Sequence, residues 1–180
     1  VLTVLGINHN TASVDLRESV AFDPKDVATA LLDAQAGDNG AGIAIVSTCN
    51  RTELYADTTR SVEDLLRWLA SWHNLTPDQL QGIYYSYESD QAAAHIMRVA
   101  SGLDSLVLGE PQILGQLKSA YAVAKNAGTL NSELHRAFQI AFGIAKRVRS
   151  ETAIGQNPVS VAYAAVSLAK QIFSDLESKT

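Results

Sequence analysis

The chain is 180 residues long and carries a formal net charge of −5, with 47% hydrophobic residues, 18% charged residues and four prolines. That is the composition of an ordinary globular protein, neither disordered nor collagen-like. A chain of this length buries about 70% of its unfolded surface, enough for one sizeable core and too little for two full α/β domains. Its apolar runs are only a few residues long and no charged-then-apolar leader opens it, so neither a transmembrane helix nor a signal peptide is expected. The single cysteine excludes an internal disulfide framework and a cysteine-based zinc site, and fits a reducing cytoplasm.

Residues 2–8 are apolar and β-branched and predict a buried strand. Asp23-Pro24 offers an N-cap followed by proline at the first helical position, predicting a helix over 24–35 that the glycines at 37 and 40 stop. Strands are expected over 43–47 and 53–57. Ser61 caps the next helix, where Val62, Leu65, Leu69 and Trp72 share one face. Thr76-Pro77-Asp78-Gln79 has the form of a capping box over one short turn, and 83–87 reads as a fourth strand. The order βαββαβ implies an α+β unit with a ferredoxin-like, four-stranded antiparallel sheet and two helices on one face.

After Asp90 the alternation gives way to helix: Asp90 caps a segment to about 102, a Gly/Pro-punctuated loop spans 103–111, and helices follow near 112–127, 131–150 and 158–176. Leu134, Phe138, Ala141, Ala145 and Val148 make an apolar seam, and Ala162, Ala165, Ala169, Ile172 and Leu176 a second one of mostly small residues. Charge is divided unevenly, with five Lys/Arg against thirteen Asp/Glu in residues 1–90 and nine against six in 91–180. Lys118, Lys125, Arg136, Lys146, Arg147 and Arg149 face only Glu133, which reads either as a polyanion-binding surface or as solvated helix faces.

Three constellations can carry chemistry. Cys49, in Ser47-Thr48-Cys49-Asn50-Arg51, sits where a strand feeds a turn; it reads as a nucleophile beside a cation or as a small buried hydrophobe. His95 falls at the edge of the stripe Ala92, Ile96, Val99, Leu103, and reads as a proton-transfer or orienting group or as a satisfied core-edge histidine. The loop 101–112 has glycine at both ends and places Ser105, Glu110, Gln112 and Gln116 around a helix start, a ready site for a polar ligand. His9, His73 and His135 lack partners at metal-ligand spacing, so no metal site is expected, and no G-x-G-x-x-G or phosphate loop occurs.

Several motifs in order exceed what composition explains: Gly6-Ile7-Asn8-His9, Leu16-Arg17-Glu18, Ser47-Thr48-Cys49-Asn50-Arg51-Thr52-Glu53-Leu54-Tyr55, then His95-Ile96-Met97-Arg98-Val99-Ala100-Ser101-Gly102-Leu103-Asp104-Ser105 through Gln116, Ala145-Lys146-Arg147-Val148-Arg149, Ile154-Gly155 and Ser160-Val161-Ala162. Together they closely resemble the glutamyl-tRNA reductase family over essentially the whole chain. The resemblance implies an enzyme that makes glutamate-1-semialdehyde from glutamyl-tRNA and NADPH for tetrapyrrole synthesis. It implies Cys49 as nucleophile, His95 as a histidine important for activity, and Thr48, Asn50, Arg51, Ser105, Glu110, Pro111, Gln112 and Gln116 as the glutamyl site. Within that site Arg51 would hold the side-chain carboxylate and Glu110 the α-ammonium group.

The same resemblance implies that 1–90 and 91–155 are the βαββαβ and helical parts of one catalytic domain. Residues 156–180 would open a long connecting helix toward an NADPH-binding domain outside the chain. A cytoplasmic homodimer in contact with the aminomutase that follows in the pathway, with no membrane and no metal, completes the expectation. Asn10 and Ser13 depart from the family's usual Lys and Pro. The competing reading, of another class, is a non-catalytic RNA- or protein-binding module on a ferredoxin-like sheet; the strand aromatics of RNA-recognition sheets are not found.

Overall fold

The structure, a computed structural model, describes residues 1–155. Strands β1 (Leu2–Asn8), β2 (Gly42–Ser47), β3 (Arg51–Asp57) and β4 (Tyr85–Glu88) form one antiparallel sheet in the order β2-β3-β1-β4. This is the ferredoxin-like arrangement that the element order implies. β1 and β2 are buried along nearly their whole length because both faces of the sheet are covered, which is why their sequences run apolar without alternating.

Helices α2 (Val27–Gln35) and α3 (Val62–Trp72) cover one face. They are tied by the Trp68 indole donating to Asp33 at 2.8 Å and by Arg60 donating to the Ala34 carbonyl at 2.7 Å. The Ser61 hydroxyl accepts from the Asp64 N–H at 3.1 Å in a complete capping box, worth about 1 kcal/mol. On the other face α5 (Ser89–Ala100) packs against β1 and β4, and α7 (Ser132–Glu151) against β2, β3 and α5, with Phe138 edge-on to Tyr55 at 5.5 Å. The predicted seam on α7 is buried from Leu134 to Ala145. Its N-cap, Asn131, also donates to the Asp57 carboxylate at 2.8 Å and so fastens α7 to the end of the sheet.

Between them α6 (Gln112–Ala127) runs beside the outer edge of β2. Gly128 closes it at φ 77, and the turn lets Thr129 pair with Ile43, accepting its N–H at 2.7 Å and donating to its carbonyl at 2.9 Å. Among the described residues no helix is long and apolar enough to cross a membrane.

Several boundaries differ from the sequence reading. α2 starts at Val27 with Asp26 at its N-cap, because Asp23 spends its carboxylate on the Lys25 N–H at 3.1 Å and its carbonyl on the Asp26 N–H at 2.9 Å, closing a turn where a helix was expected. A short α1 (Val14–Ser19) was not foreseen; it buries nothing, so it carries no apolar period. β3 begins at Arg51, two residues early, still paired with β1, and β4 begins at Tyr85. α5 starts at Ser89 with Glu88, not Asp90, at its N-cap. α4 (Pro77–Leu80) matches its capping box. The helix expected over 158–176 and the seam on it lie outside the described residues.

Candidate active site

β2 and β3 are joined by a tip made of Cys49 and Asn50. The Thr48 N–H donates to the Arg51 carbonyl at 2.8 Å, and the Thr48 hydroxyl accepts the N–H groups of Asn50 and Arg51, both at 3.2 Å. Tight hairpins of this length usually need positive φ and hence glycine or asparagine. Neither tip residue has it here, and the threonine side chain ties the turn instead. Two further groups grip the tip: the His9 N–H donates to the Asn50 carbonyl at 3.0 Å, and Arg17 of α1 reaches the Cys49 carbonyl at 3.4 Å. Cys49 is therefore held by its backbone with its side chain exposed, which removes the alternative of a buried hydrophobe.

Behind the tip lies a buried polar cluster. Successive strand residues alternate faces, so Arg51, Glu53 and Tyr55 all turn toward α5 and α7. Glu53, fully buried, accepts from Arg51 at 2.9 Å and from His95 Nε2 at 2.7 Å, and takes the hydroxyls of Tyr85 and Tyr55 as well. Burial alone would raise its pKa, but the His95 hydrogen bond and the Arg51 charge outweigh that and bring it down to about 2. Burial and the Glu53 charge push the phenols of Tyr55 and Tyr85 well above their usual range, so both remain donors. Arg98 is 3.4 Å from His95 Nδ1; a guanidinium only donates, which assigns the imidazole proton shared with Glu53 to Nε2.

Arg51 also donates to the Asp104 carboxylate at 3.0 Å and to the Asp104 carbonyl, so it fastens the 101–111 loop to the sheet. That loop has a narrow neck. Gly102 (φ 75) accepts the Gly109 N–H at 2.8 Å, and a Cβ there would press to 3.1 Å on the Glu110 backbone. Arg149 of α7 donates to the Glu110 carbonyl at 2.9 Å. This takes Arg149 out of the exposed basic set; Lys118, Lys125, Arg136 and Lys146 remain at the surface, and Arg147 pairs with Glu151 at 3.0 Å. Ligand oxygens and nitrogens of Glu53, His95 and Asp104 lie within 4.8 Å of one another, and Arg51 donates to both carboxylates.

Tip and loop enclose a narrow cleft of about 30 Å³. Thr48, Cys49, Asn50, Arg51, Ser105, Glu110, Gln112 and Gln116 line it, eight of the ten residues singled out in the sequence, joined by Leu106 and Ile113. Two stretches distant in sequence, 48–51 and 105–116, thus converge on one thiol. A family model for the N-terminal domain of glutamyl-tRNAGlu reductase matches residues 5–152. The chain belongs to that family.

Curated relatives agree. The glutamyl-tRNA reductase of Saccharophagus degradans is 60% identical over 179 residues, covering 99% of this chain and 42% of that protein. That of Pseudomonas fluorescens strain Pf0-1 is 60% identical over 174 residues, covering 96% and 41%. The solved glutamyl-tRNA reductase from Methanopyrus kandleri superposes with a TM-score of 0.74 at 33% identity, over 94% of this chain and 39% of that one. The chain thus spans about two fifths of the length of the reductases it matches.

Two of the expected site residues stand apart from the cleft. Pro111 is exposed at the start of α6, where its fixed φ of −72 opens the helix. His95 is only 1% exposed, deeper than an edge position, and meets the cleft through Glu53 and Arg51. Glu53, Tyr85 and Asp104 escaped the sequence reading as site residues. For Glu53 a signal existed: charged residues two apart in an otherwise apolar strand place a buried pair on one face. Asp104 carries no local signal, since its partner lies 53 residues away.

Proposed function

We propose that these residues carry the acyl-transfer half of glutamyl-tRNA reduction. The Cys49 thiolate attacks the carbonyl carbon of the glutamyl ester, the bond to the terminal ribose oxygen breaks, that oxygen takes up a proton, and tRNA departs, leaving a glutamyl thioester on Sγ. The observation that carries the reading is the exposed, backbone-anchored Cys49 above a cleft of mostly polar side chains drawn from two distant parts of the chain.

Arg51 uses three of a guanidinium's five N–H groups on Glu53 and Asp104. The remaining donors, held rigidly by that pairing, read the substrate's side-chain carboxylate, and Glu110 receives its α-ammonium group. His95 acts behind Arg51 as a positioning residue. The exposed Lys118, Lys125, Arg136 and Lys146 supply contacts to tRNA phosphates.

A thioester is electrophilic enough to accept hydride, and its reduction by NADPH gives the glutamate-1-semialdehyde that the family resemblance implies. The 180 residues hold no glycine-rich dinucleotide motif and the described sheet is antiparallel, so they do not fit NADPH and the hydride step is not assigned to them. The same reading carries a homodimeric reductase in contact with the next enzyme, an aminomutase, in the cytoplasm.

The test is intact-mass spectrometry after mixing with glutamyl-tRNA. A glutamyl adduct on Cys49, absent in Cys49→Ser, is expected; the exposed site makes that variant's stability change no more than about 0.5 kcal/mol. An adduct that persists in Cys49→Ser overturns the assignment.

A further inference from the structure

Next to the Cys49 cleft lies a larger cavity of about 550 Å³, within the roughly 300–1,000 Å³ of small-molecule sites. Its walls are the 22–27 segment, the outer edge of β2 and one face of α6. Phe22, Val27 and Val123 make it apolar, while Gly115, Ser119 and Ala120 keep α6 thin where it faces the strand. Gln112 and Gln116, one helical turn apart, line this cavity and the cleft alike, so the two share a wall of two amides. Ser47, two residues before the thiol, lines the cavity, and Thr48 lines the cleft.

The strand edge inside this cavity has an uncommitted polar pair. In an antiparallel strand, residues whose N–H and C=O point away from the partner recur every second position. Ile43 points outward, since both of its groups bond to Thr129. Thr48 points inward, its N–H going to Arg51 of β3. Ile45 therefore presents its N–H and C=O to the cavity, and among the described residues neither has a partner there. Ile45 is 2% exposed, so these are nearly buried groups that want a ligand. An added peptide strand would need a row of such groups. Here Thr129 takes the edge at Ile43 and Phe22 closes on the other side, its N–H donating to the Ser47 hydroxyl at 3.0 Å. What remains suits a flat ring with one donor beside one acceptor.

We propose that this cavity binds the adenine of the 3′-terminal adenosine to which the glutamyl group is esterified. The adenine amino group donates to the Ile45 carbonyl, a ring nitrogen accepts the Ile45 N–H, and the apolar walls take the faces of the ring. Ile45 lies four residues from Cys49, at most about 13 Å along an extended strand, which matches the reach of a nucleoside from its base to its ester carbonyl. Gln112 and Gln116 stand where the ribose passes between the two chambers, so base binding sets the ester over the thiol. This inference rests on Cys49 as the nucleophile, but base binding is separately measurable.

The 180-residue chain is to be tested with the 3′-O-glutamyl esters of adenosine and cytidine and with glutamyl methyl ester, following acylation of Cys49 by intact mass. The adenosine ester is expected to react about tenfold faster in kcat/KM than the cytidine ester, which has the same ribose leaving group, and faster still than the methyl ester, whose leaving group is poorer. Gly115→Leu fills the cavity, since a Cβ at Gly115 meets nothing within 4 Å, and leucine improves the helix. That variant and Ser119→Leu should bring the adenosine-to-cytidine ratio close to one. Adenosine binding followed by ligand-observed NMR should disappear in both variants.

Equal rates for the adenosine and cytidine esters in the unmodified chain, or a preference that survives both substitutions, overturn the proposal. So does binding of nicotinamide mononucleotide or an extended peptide at this cavity in place of adenosine. If no ester acylates Cys49 while adenosine binds and Gly115→Leu abolishes it, the nucleophile assignment fails and the base site stands.

Discussion

Tyr85 lies across Gly6. The two are cross-strand partners, Gly6 also faces Glu53 on its other side, and the tyrosine ring passes over the glycine to place its hydroxyl on the Glu53 carboxylate. A Cβ at Gly6 would fall inside the Tyr85 ring, so the glycine is required by close approach rather than by backbone conformation. One missing side chain in the central strand thus lets the edge strand β4 contribute to a cluster centred on β3.

Gly6→Ala is expected to destabilise by about 1–3 kcal/mol, the usual cost of overpacking, because the ring must move and Glu53 loses a donor. In a Tyr85→Ala background the same change should cost far less. Urea unfolding of the four proteins of this cycle measures the coupling, and additive effects would show that the ring does not depend on the glycine.

The Glu53 carboxylate predicts an acid limb. Its pKa is held at about 2 against an ordinary value of 4.5, so between those limits the unfolded chain takes up a proton that the folded chain refuses. Stability from this group is fully present above about pH 4.5 and is lost as pH falls toward 2. Glu53→Gln should flatten that limb and, by leaving the buried Arg51 with only Asp104, cost about 3–5 kcal/mol at neutral pH. Urea midpoints from pH 2 to 7 for both proteins test this; parallel curves would show that Glu53 is not the titrating group.

Asp104 is the loop's tie to the sheet. Asp104→Ala removes the 3.0 Å pair with Arg51 but leaves the Gly102–Gly109 neck, so the fold should survive while residues 103–108 exchange amide hydrogens faster. Acylation of Cys49 should fall about tenfold, since Arg51 then holds the loop only through the backbone carbonyl of residue 104 and Ser105 is less firmly placed against the tip. Unchanged exchange in the loop would mean that its neck alone orders it.

The strand order and the Cys49 hairpin were legible because their signals are local: apolar runs for β1 and β2, a capping box at Ser61, a polar tip between two strands. What stayed hidden is long-range. α1 buries nothing and so has no period. The helix start at Asp23-Pro24 failed because the aspartate side chain found a nearer N–H than the helix offered. Glu53 was read only as part of a strand, and its four donors come from β3, β4 and α5, which no window on the sequence unites. The candidate site was found as residues in order; the buried cluster that positions Arg51 emerges only from the packing.

The chain also predicts its own side reaction. With no dinucleotide motif in its 180 residues, it should not bind NADPH tightly or yield glutamate-1-semialdehyde at an appreciable rate. The thiol and the cleft are present, so the ester should still be attacked. A thioester on an exposed Cys49 meets water rather than hydride, and slow hydrolysis makes the chain a weak esterase that releases glutamate and free tRNA. Incubation with labelled glutamyl-tRNA, with and without NADPH, and separation of the products tests this. Free glutamate appearing equally in both reactions, and absent with Cys49→Ser, is the expected result. Semialdehyde formed when NADPH is added would place a cofactor site within these residues, and an ester left intact in both reactions would remove Cys49 from the role of nucleophile in this chain.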